Sequence, residues 1–228
     1  MSAAAAATPL LPILLFGGTL AAIGVGVYLA YLSERKRTAA LADVALRLGF
    51  SFEAKISNEE AATLGSFHLF KVGRSRKGKN LMRGKSDGAD AIVLDYQYTV
   101  GGGKSSHTYS QTVVIYPGSA GAAALPDFTL GPEHWWDKVG EIFGHRDINF
   151  ESSEEFSKHY LLKGPDEAAL RTLFGAEPLG YFAQHQGWSV EAAGGSLVVY
   201  HTGQRAKPLE MQPFLADTAA VRRALVHD

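Results

Sequence analysis

The sequence contains no cysteine, and this absence excludes several kinds of chemistry at once. Without a thiol the chain forms neither disulfide bonds nor cysteine-ligated zinc or iron–sulfur sites, and it has no thiol nucleophile. The eight histidines show neither the His-x-x-x-His nor the His-Glu-x-x-His spacing that places zinc ligands on one helix face. We therefore expect no metal ion and no cofactor, and no motif singles out a catalytic residue.

The sequence also lacks an excess of either charge, because it contains 22 Lys and Arg residues and 23 Asp and Glu residues. Domains that bind nucleic acid gain much of their affinity from cations on phosphates, so we expect no nucleic-acid partner. Hydrophobic residues make up 46% of the chain and charged residues 20%, a balance typical of a folded protein rather than a disordered one.

Charged side chains are absent from the first 33 residues, and most of this stretch is apolar. The run that begins at Leu10 and ends at Leu32 is rich in Leu, Ile, Val, Ala and Gly. As a helix it is long enough to cross the roughly 30 Å hydrocarbon core of a bilayer. We predict a transmembrane helix over residues 10–32 and a disordered tail over residues 1–9. A cleaved signal peptide is the competing interpretation, but it requires basic residues before a shorter apolar core.

Three consecutive basic residues, Arg35, Lys36 and Arg37, follow the apolar run almost directly. By the positive-inside rule such a segment stays in the cytoplasm, and residues 1–9 carry no basic side chain that would oppose it. We therefore predict a single-pass membrane protein with its N-terminus outside. Residues 33–37 are the predicted basic juxtamembrane segment, and residues 38–228 are one predicted cytoplasmic domain.

Small residues recur every four positions within the predicted span, at Gly18, Ala22, Gly26 and Ala30. This spacing places them along one face of a helix, where two backbones approach closely in small-xxx-small dimers. Self-association through this face is one interpretation. The other is that glycine and alanine are simply common in membrane helices.

Beyond the apolar run, the chain combines hairpins with helices. β-Branched and aromatic residues predict strand pairs over residues 91–100 with 109–116 and over residues 188–192 with 197–201. Capping residues and amphipathic spacing predict helices over residues 38–48, 58–64, 131–143, 166–174, 178–185 and 217–226. Shorter strands are predicted over residues 50–54, 147–150 and 159–162, with an edge strand over residues 125–130. We predict an α+β fold, in which the N-terminal transmembrane helix precedes a mainly antiparallel sheet with packed helices.

Several segments of the predicted domain carry a resemblance, namely residues 94–99, 111–113, 125–128, 160–162, 187–191 and 197–200. They resemble a family of uncharacterised bacterial proteins with a single N-terminal transmembrane helix and a cytoplasmic α+β domain. The resemblance implies a bacterial source and a location in the inner (cytoplasmic) membrane. It implies no activity and no catalytic residue.

Seven cations and no acid occur between positions 71 and 85. At an anionic membrane surface, Arg74, Arg76, Lys77 and Lys79 would contact lipid headgroups, and each cation would contribute about 1 kcal/mol. A solvated hairpin face explains the same residues, so the sequence leaves both interpretations open.

Residues 84–88 match two loop motifs by sequence, but neither motif fits its context. The phosphate-binding loop needs a glycine at position 79, which is lysine, and the Gly-x-Ser-x-Gly turn must lead from a strand into a helix. Because a strand is predicted to follow instead, we interpret this segment as a hairpin turn.

Two functional hypotheses follow. The first is a membrane-tethered, non-enzymatic binding or scaffold module whose partner is a protein or the membrane surface. The second is a membrane-anchored hydrolase or small-ligand-binding protein, with a site built from Asp95, His107, Glu133 or His134. A concave pocket with converging ionisable groups favours the second hypothesis, and a flat surface with a basic or aromatic patch favours the first.

Overall fold

The computed structural model describes residues 10–56, 66–118, 125–132 and 147–226, with side chains from residue 18 onward. The chain divides into two compact units, Met1–Ala40 and Leu41–Asp228. Several predicted features lie outside the described residues: the tail over residues 1–9, the helix over residues 58–64, most of the helix over residues 131–143, and the candidate residues Glu133 and His134.

Helix α1 (Leu10–Leu48) joins the predicted span to the helix predicted after it. In the first unit its apolar side chains are largely exposed, with 66% of Leu20, 63% of Ile23 and 58% of Leu29 accessible. Within the described part of the chain, no helix meets the combined length and hydropathy that crossing a membrane requires.

The end of α1 is set by Gly49, which adopts a left-handed conformation with a φ of +73°. The N–H of Phe50 then bonds the carbonyl oxygen of Ala45 at 2.8 Å, which closes the helix as a glycine cap does. Just before this end, Leu41 and Ala45 are buried in the core of the second unit.

The described residues of the second unit form an eight-stranded sheet, and all the strand pairs among them are antiparallel. The strands are β1 (Ser51–Lys55), β2 (Arg74–Ser86), β3 (Ala89–Val100), β4 (His107–Tyr116), β5 (Phe128–Pro132), β6 (Tyr160–Lys163), β7 (Ser189–Ala193) and β8 (Ser196–Tyr200). Their spatial order is β1-β2-β3-β4-β8-β7-β5-β6. The predicted α+β class with an antiparallel sheet is confirmed.

The two predicted strand pairs are also confirmed. β3 pairs with β4 from Ile92 opposite Ile115 to Val100 opposite His107, and β7 pairs with β8 across a tight turn. The long strand β2 was predicted only indirectly, as one interpretation of its cations and as the strand before the turn at residues 84–88, because its lysines and glycines have low strand propensity. Pairing with both β1 and β3 stabilises it nonetheless.

The predicted hairpin turn within residues 84–88 is found between β2 and β3. Asp87 and Gly88 have φ values of 51° and 78°, the left-handed pair that a type I′ turn requires. No helix follows this turn, so the serine at position 86 is a strand residue rather than an exposed nucleophile.

Helices cover one face of the sheet: α2 (Glu154–His159), α3 (Glu167–Leu173), α4 (Ala176–Gln184) and α5 (Met211–Leu225). Phe156, Phe174 and Phe182 pack there against one another, with ring centroids 6.0 to 6.5 Å apart. The opposite face buries a second cluster of aromatic and aliphatic side chains beneath residues 66–73, which we call the strap.

Helix α5 begins at Met211, six residues before Asp217, so the predicted start of this helix was wrong. Pro213 is the third residue of α5, where a backbone N–H has no intrahelical partner in any case. The proline therefore removes no helical hydrogen bond.

Two strand predictions were also wrong in part. β5 is an interior strand between β7 and β6 rather than an edge, because Pro126 precedes it and Pro132 ends it, so neither proline interrupts the ladder. Residues 147–150 are not a strand: the N–H of Ile148 donates to the carbonyl oxygen of Leu162 at 2.9 Å, but the N–H of Leu162 donates to the carboxylate of Asp147 at 3.1 Å rather than to a backbone carbonyl.

Candidate functional site

A cavity of about 350 Å³ opens on the sheet face opposite the helices, between the strap and strands β5, β6 and β7. This volume lies within the range of small-molecule sites. Its polar walls include Ser66, His68, Lys71, Thr129, Lys163 and Glu191. Ionisable groups thus converge in a concave pocket, the arrangement that the second hypothesis requires.

Three polar side chains of the cavity stand in one row across neighbouring strands. Thr129 on β5 lies opposite Lys163 on β6 and opposite Glu191 on β7. Adjacent strands are about 4.8 Å apart, so a cation, a hydroxyl group and a carboxyl group follow one another in short steps. Strand register alone creates this row, because the three residues are far apart in sequence.

Glu191 is 2% exposed, and main-chain groups of the strap hold its carboxyl group. The N–H of Leu69 donates to both carboxyl oxygens, at 3.0 and 3.1 Å, and the hydroxyl of Tyr200 donates to one of them at 3.3 Å. Burial disfavours the charged form and raises the pKa of Glu191 to about 7, although these hydrogen bonds oppose the shift. The group therefore exchanges a proton near neutral pH.

The strap is held on the sheet by apolar burial and by two charged side chains. The strap residues Phe67 and Leu69 bury their side chains against the sheet. The carboxyl group of Glu191 accepts a hydrogen bond from the main chain of the strap. The guanidinium of Arg76 donates to the carbonyl oxygens of Phe70 and Lys71, at 3.1 and 2.9 Å. No β-ladder fixes this segment, so these contacts replace one.

His68 and Lys71 form the strap side of the cavity. Burial, with the nearby charge of Lys71, lowers the pKa of His68 to about 4, so this imidazole is neutral at pH 7. Lys71 is exposed at the mouth, where its Nζ donates to the carbonyl oxygen of Ser66 at 3.2 Å. The mouth therefore carries one cation and a neutral imidazole at neutral pH.

Exposed cations continue from the cavity mouth along the start of β2. Lys71, Arg74, Arg76 and Lys77, which we call the cationic surface, are all exposed. Arg74 donates to the carbonyl oxygen of Gly101, and Arg76 donates to the strap carbonyls. Among the described residues, no carboxylate forms an ion pair with any of these four cations. Lys79, which was predicted with them, is half-buried opposite Asp95.

The other end of β2 shows a different arrangement. Arg83 pairs with Glu53 at 2.9 Å, and Lys85 pairs with Asp90 at 3.2 Å. Within the part of the chain that the structure describes, acids pair with the cations at the C-terminal end of β2, and no such acid pairs with those at its N-terminal end.

The residues proposed for an enzyme site do not come together where the structure describes them. Asp95 is buried and accepts hydrogen bonds from Asn80 at 2.8 Å and from Thr112 at 3.0 Å. His107 is exposed at the start of β4, opposite Val100, which places it about 17 Å along the ladder from Asp95. The described residues also contain no cluster of three metal-binding side chains.

The small residues of α1 that recur every four positions are not covered by other described side chains. An added Cβ at Gly18 or Gly26 would meet no atom within 4 Å, and Ala22 and Ala30 are exposed. These positions therefore leave room for a second helix, and self-association through them stays a prediction.

Sequence reasoning missed the residues of the cavity. Glu191 was grouped with the strand that contains it, and Thr129 and Lys163 carried no motif. The available signal was a charged residue in the middle of an otherwise apolar strand, between Val190 and Ala192. Such a residue is costly to bury and therefore marks a constrained position.

No known protein family, no curated protein and no solved structure matches this chain. The resemblance to uncharacterised bacterial membrane proteins therefore stays a prediction. The chemistry of the site rests on its own geometry and charge.

Proposed function

We propose that the protein is a membrane-tethered binding module, anchored through residues 10–32, whose cationic surface contacts anionic lipid headgroups. The observation that carries the anchor is the exposed apolar surface of α1. Leu20 and Val27 lie on one side of this helix, Val25 and Leu29 lie on the other, and each exposes between 58% and 66% of its surface. A helix that is apolar all round is stable inside a protein core or a membrane.

The orientation follows from Arg35, Lys36 and Arg37, which keep their end of the span in the cytoplasm. The second unit is then cytoplasmic and the N-terminus is outside. With the bacterial resemblance, the membrane is the inner membrane of a bacterium. An anionic inner leaflet would attract the cationic surface, and each cation near the headgroups contributes about 1 kcal/mol.

A specific observation also favours the ligand-binding form of the second hypothesis. The cavity beside Glu191 has the volume and the polar lining of a small-molecule site. Hydrolysis has no such support, because Asp95 and His107 are far apart.

Extraction of membranes with alkaline carbonate tests the anchor in cells that express the full chain. The wild-type protein should stay with the membrane pellet. The double variant Ile23→Glu, Val25→Glu should shift mainly to the supernatant, because each charge near the middle of a span costs about 3 kcal/mol. Leu46→Glu is the matched control, since Leu46 is 81% exposed on the same helix but outside the predicted span. Release of the wild-type protein would refute the anchor.

A second experiment tests the lipid contact, with the full chain in vesicles that contain a photoreactive phosphatidylglycerol. Arg74→Gln with Lys77→Gln should reduce headgroup crosslinking several-fold. Arg83→Gln with Lys85→Gln removes the same charge from acid-paired cations and should leave crosslinking nearly unchanged. Equal crosslinking by both double variants would refute the lipid contact and leave the anchor standing.

A further inference from the structure

We propose that the cavity beside β5, β6 and β7 binds a small organic anion that also carries a hydroxyl or amino group. Lys71 and Lys163 would hold the anionic group, and Thr129 would bond the hydroxyl or amino group next to Glu191. The proposal is independent of the membrane contact, because it concerns a cavity of the second unit and a soluble ligand.

The polar side chains of the cavity wall do not belong to either apolar cluster of the core. The apolar clusters on both faces of the sheet are formed by other residues, whereas Thr129, Lys163 and Glu191 form a polar row at the cavity wall. A buried carboxyl group is costly, and an apolar residue of similar size is often as stable in its place. A polar row that borders a cavity of about 350 Å³ is typical of a site for a polar ligand.

The charges around the cavity favour an anion. The groups that face Glu191 or share its cavity are Lys71 and His68 on the strap, Tyr200 on β8, Lys163 on β6 and Asp127 before β5. His68 is neutral at pH 7, and an oxygen of Asp127 already accepts the N–H of Gly194 at 3.0 Å. Lys71 and Lys163 therefore outnumber the carboxylate of Asp127, and the wall has an excess of positive charge when burial lets Glu191 take up a proton near pH 7.

The row also defines what else the ligand needs. Thr129 both donates and accepts a hydrogen bond, and it lies between the lysine and the carboxyl group. A ligand with an anionic group and an adjacent hydroxyl or amino group satisfies the lysine and the threonine together. An anion without a hydroxyl or amino group would contact only the lysines, and a neutral polyol would form a hydrogen bond only with the threonine.

Titration calorimetry of the full chain in detergent tests the proposal with three probes of this class: glycerate, L-serine and glycerol 3-phosphate. Inorganic phosphate and glycerol each lack one of the two features and are the reference ligands. At least one probe should bind about tenfold more tightly than either reference, which corresponds to about 1.4 kcal/mol. An anion beside Glu191 favours its protonated form, so binding of that probe should take up protons and weaken as pH rises from 6 to 8.

Two conservative variants separate a specific site from incidental binding. Thr129→Val keeps the shape of the threonine side chain, and Lys163→Met keeps most of the length of the lysine side chain. Each variant should weaken binding of the probe about tenfold. The thermal unfolding midpoint of each should stay close to that of wild type. Lys158→Met is the control, because Lys158 lies on exposed α2 beside Glu154 and outside the cavity. The proposal is overturned if none of the three probes binds, or if both cavity variants bind as the control does.

Discussion

Two buried carboxyl groups lie in the same sheet and are held in different ways. Asp95, 3% exposed on β3, accepts hydrogen bonds from side chains of the two flanking strands, Asn80 on β2 and Thr112 on β4. Glu191, 2% exposed on β7, accepts hydrogen bonds from the main chain of the strap and from Tyr200. The first group joins strands that already pair, and the second joins the sheet to a segment outside it.

Asp95 and Glu191 are buried to nearly the same extent, so the difference between them lies in the residues that surround each carboxyl group. Asn80 reaches Asp95 because it sits at a β-bulge with a φ of +54°, which turns its amide toward the carboxylate. The same network continues through Thr112, whose Oγ1 accepts the N–H of Ala206 at 3.0 Å. Glu191 instead borders a cavity. The Asp95 network is therefore a structural cross-link, and Glu191 combines a structural contact with a position in the wall of a cavity.

The largest expected effect comes from breaking the Asp95 network. Asp95→Ala leaves the buried donors of Asn80 and Thr112 without this acceptor, and we expect a loss of about 3 kcal/mol in the free energy of unfolding. Asp90→Ala is the matched control, because Asp90 lies on the same strand in an exposed pair with Lys85 and should cost at most about 0.5 kcal/mol. Urea unfolding in detergent measures both. Similar losses for the two variants would contradict the structural role of Asp95.

The next effect depends on pH and is expected at Glu191, about 1.4 kcal/mol for each pH unit rather than about 3 kcal/mol at a single pH. The pKa of Glu191 is about 7 in the folded protein and near 4.5 in the unfolded chain, so the folded state holds more protons between these values. Its contribution to stability is fully present below pH 4.5 and is lost as pH rises through 7. Relative to Glu191→Gln, wild type should therefore lose about 1.4 kcal/mol per pH unit across this window. A difference that stays constant with pH would contradict this assignment.

His68 makes the comparison with Glu191→Gln necessary. Its pKa falls from 6.5 to about 4 on folding, so the unfolded state holds more protons and stability rises with pH between these values. This slope opposes that of Glu191 where the two windows overlap. Wild type alone should therefore show a shallow pH profile below 6.5, and only the difference between the two proteins isolates the carboxyl group.

Much of the fold was predictable because it depends on local patterns. The hairpins β3–β4 and β7–β8 follow from β-branched and aromatic runs with glycine between them, and the helices α3 and α4 follow from capping residues and apolar spacing. β2 was not predictable in this way. Its charged sequence becomes a strand only because β1 and β3 supply hydrogen-bond partners on both sides.

The candidate site was less predictable than the fold. The cations at the start of β2 were visible as a run, but which of them lack an acid depends on Glu53 and Asp90, which other strands and a turn bring to Arg83 and Lys85. The cavity depends on long-range register in the same way. The backbone amide of Leu69 reaches Glu191 across 122 positions of sequence.

The amino-acid sequence by itself determined the apolar run over residues 10–32, the basic residues that follow it, the absence of thiol chemistry and the α+β class. These properties depend on composition and on patterns within a few residues, so no tertiary contact is needed to recognise them. Only the tertiary structure decided that a lysine, a threonine and a glutamate stand in one row beside a cavity. Strand order and register set that row, and they result from packing the whole sheet rather than from any one segment.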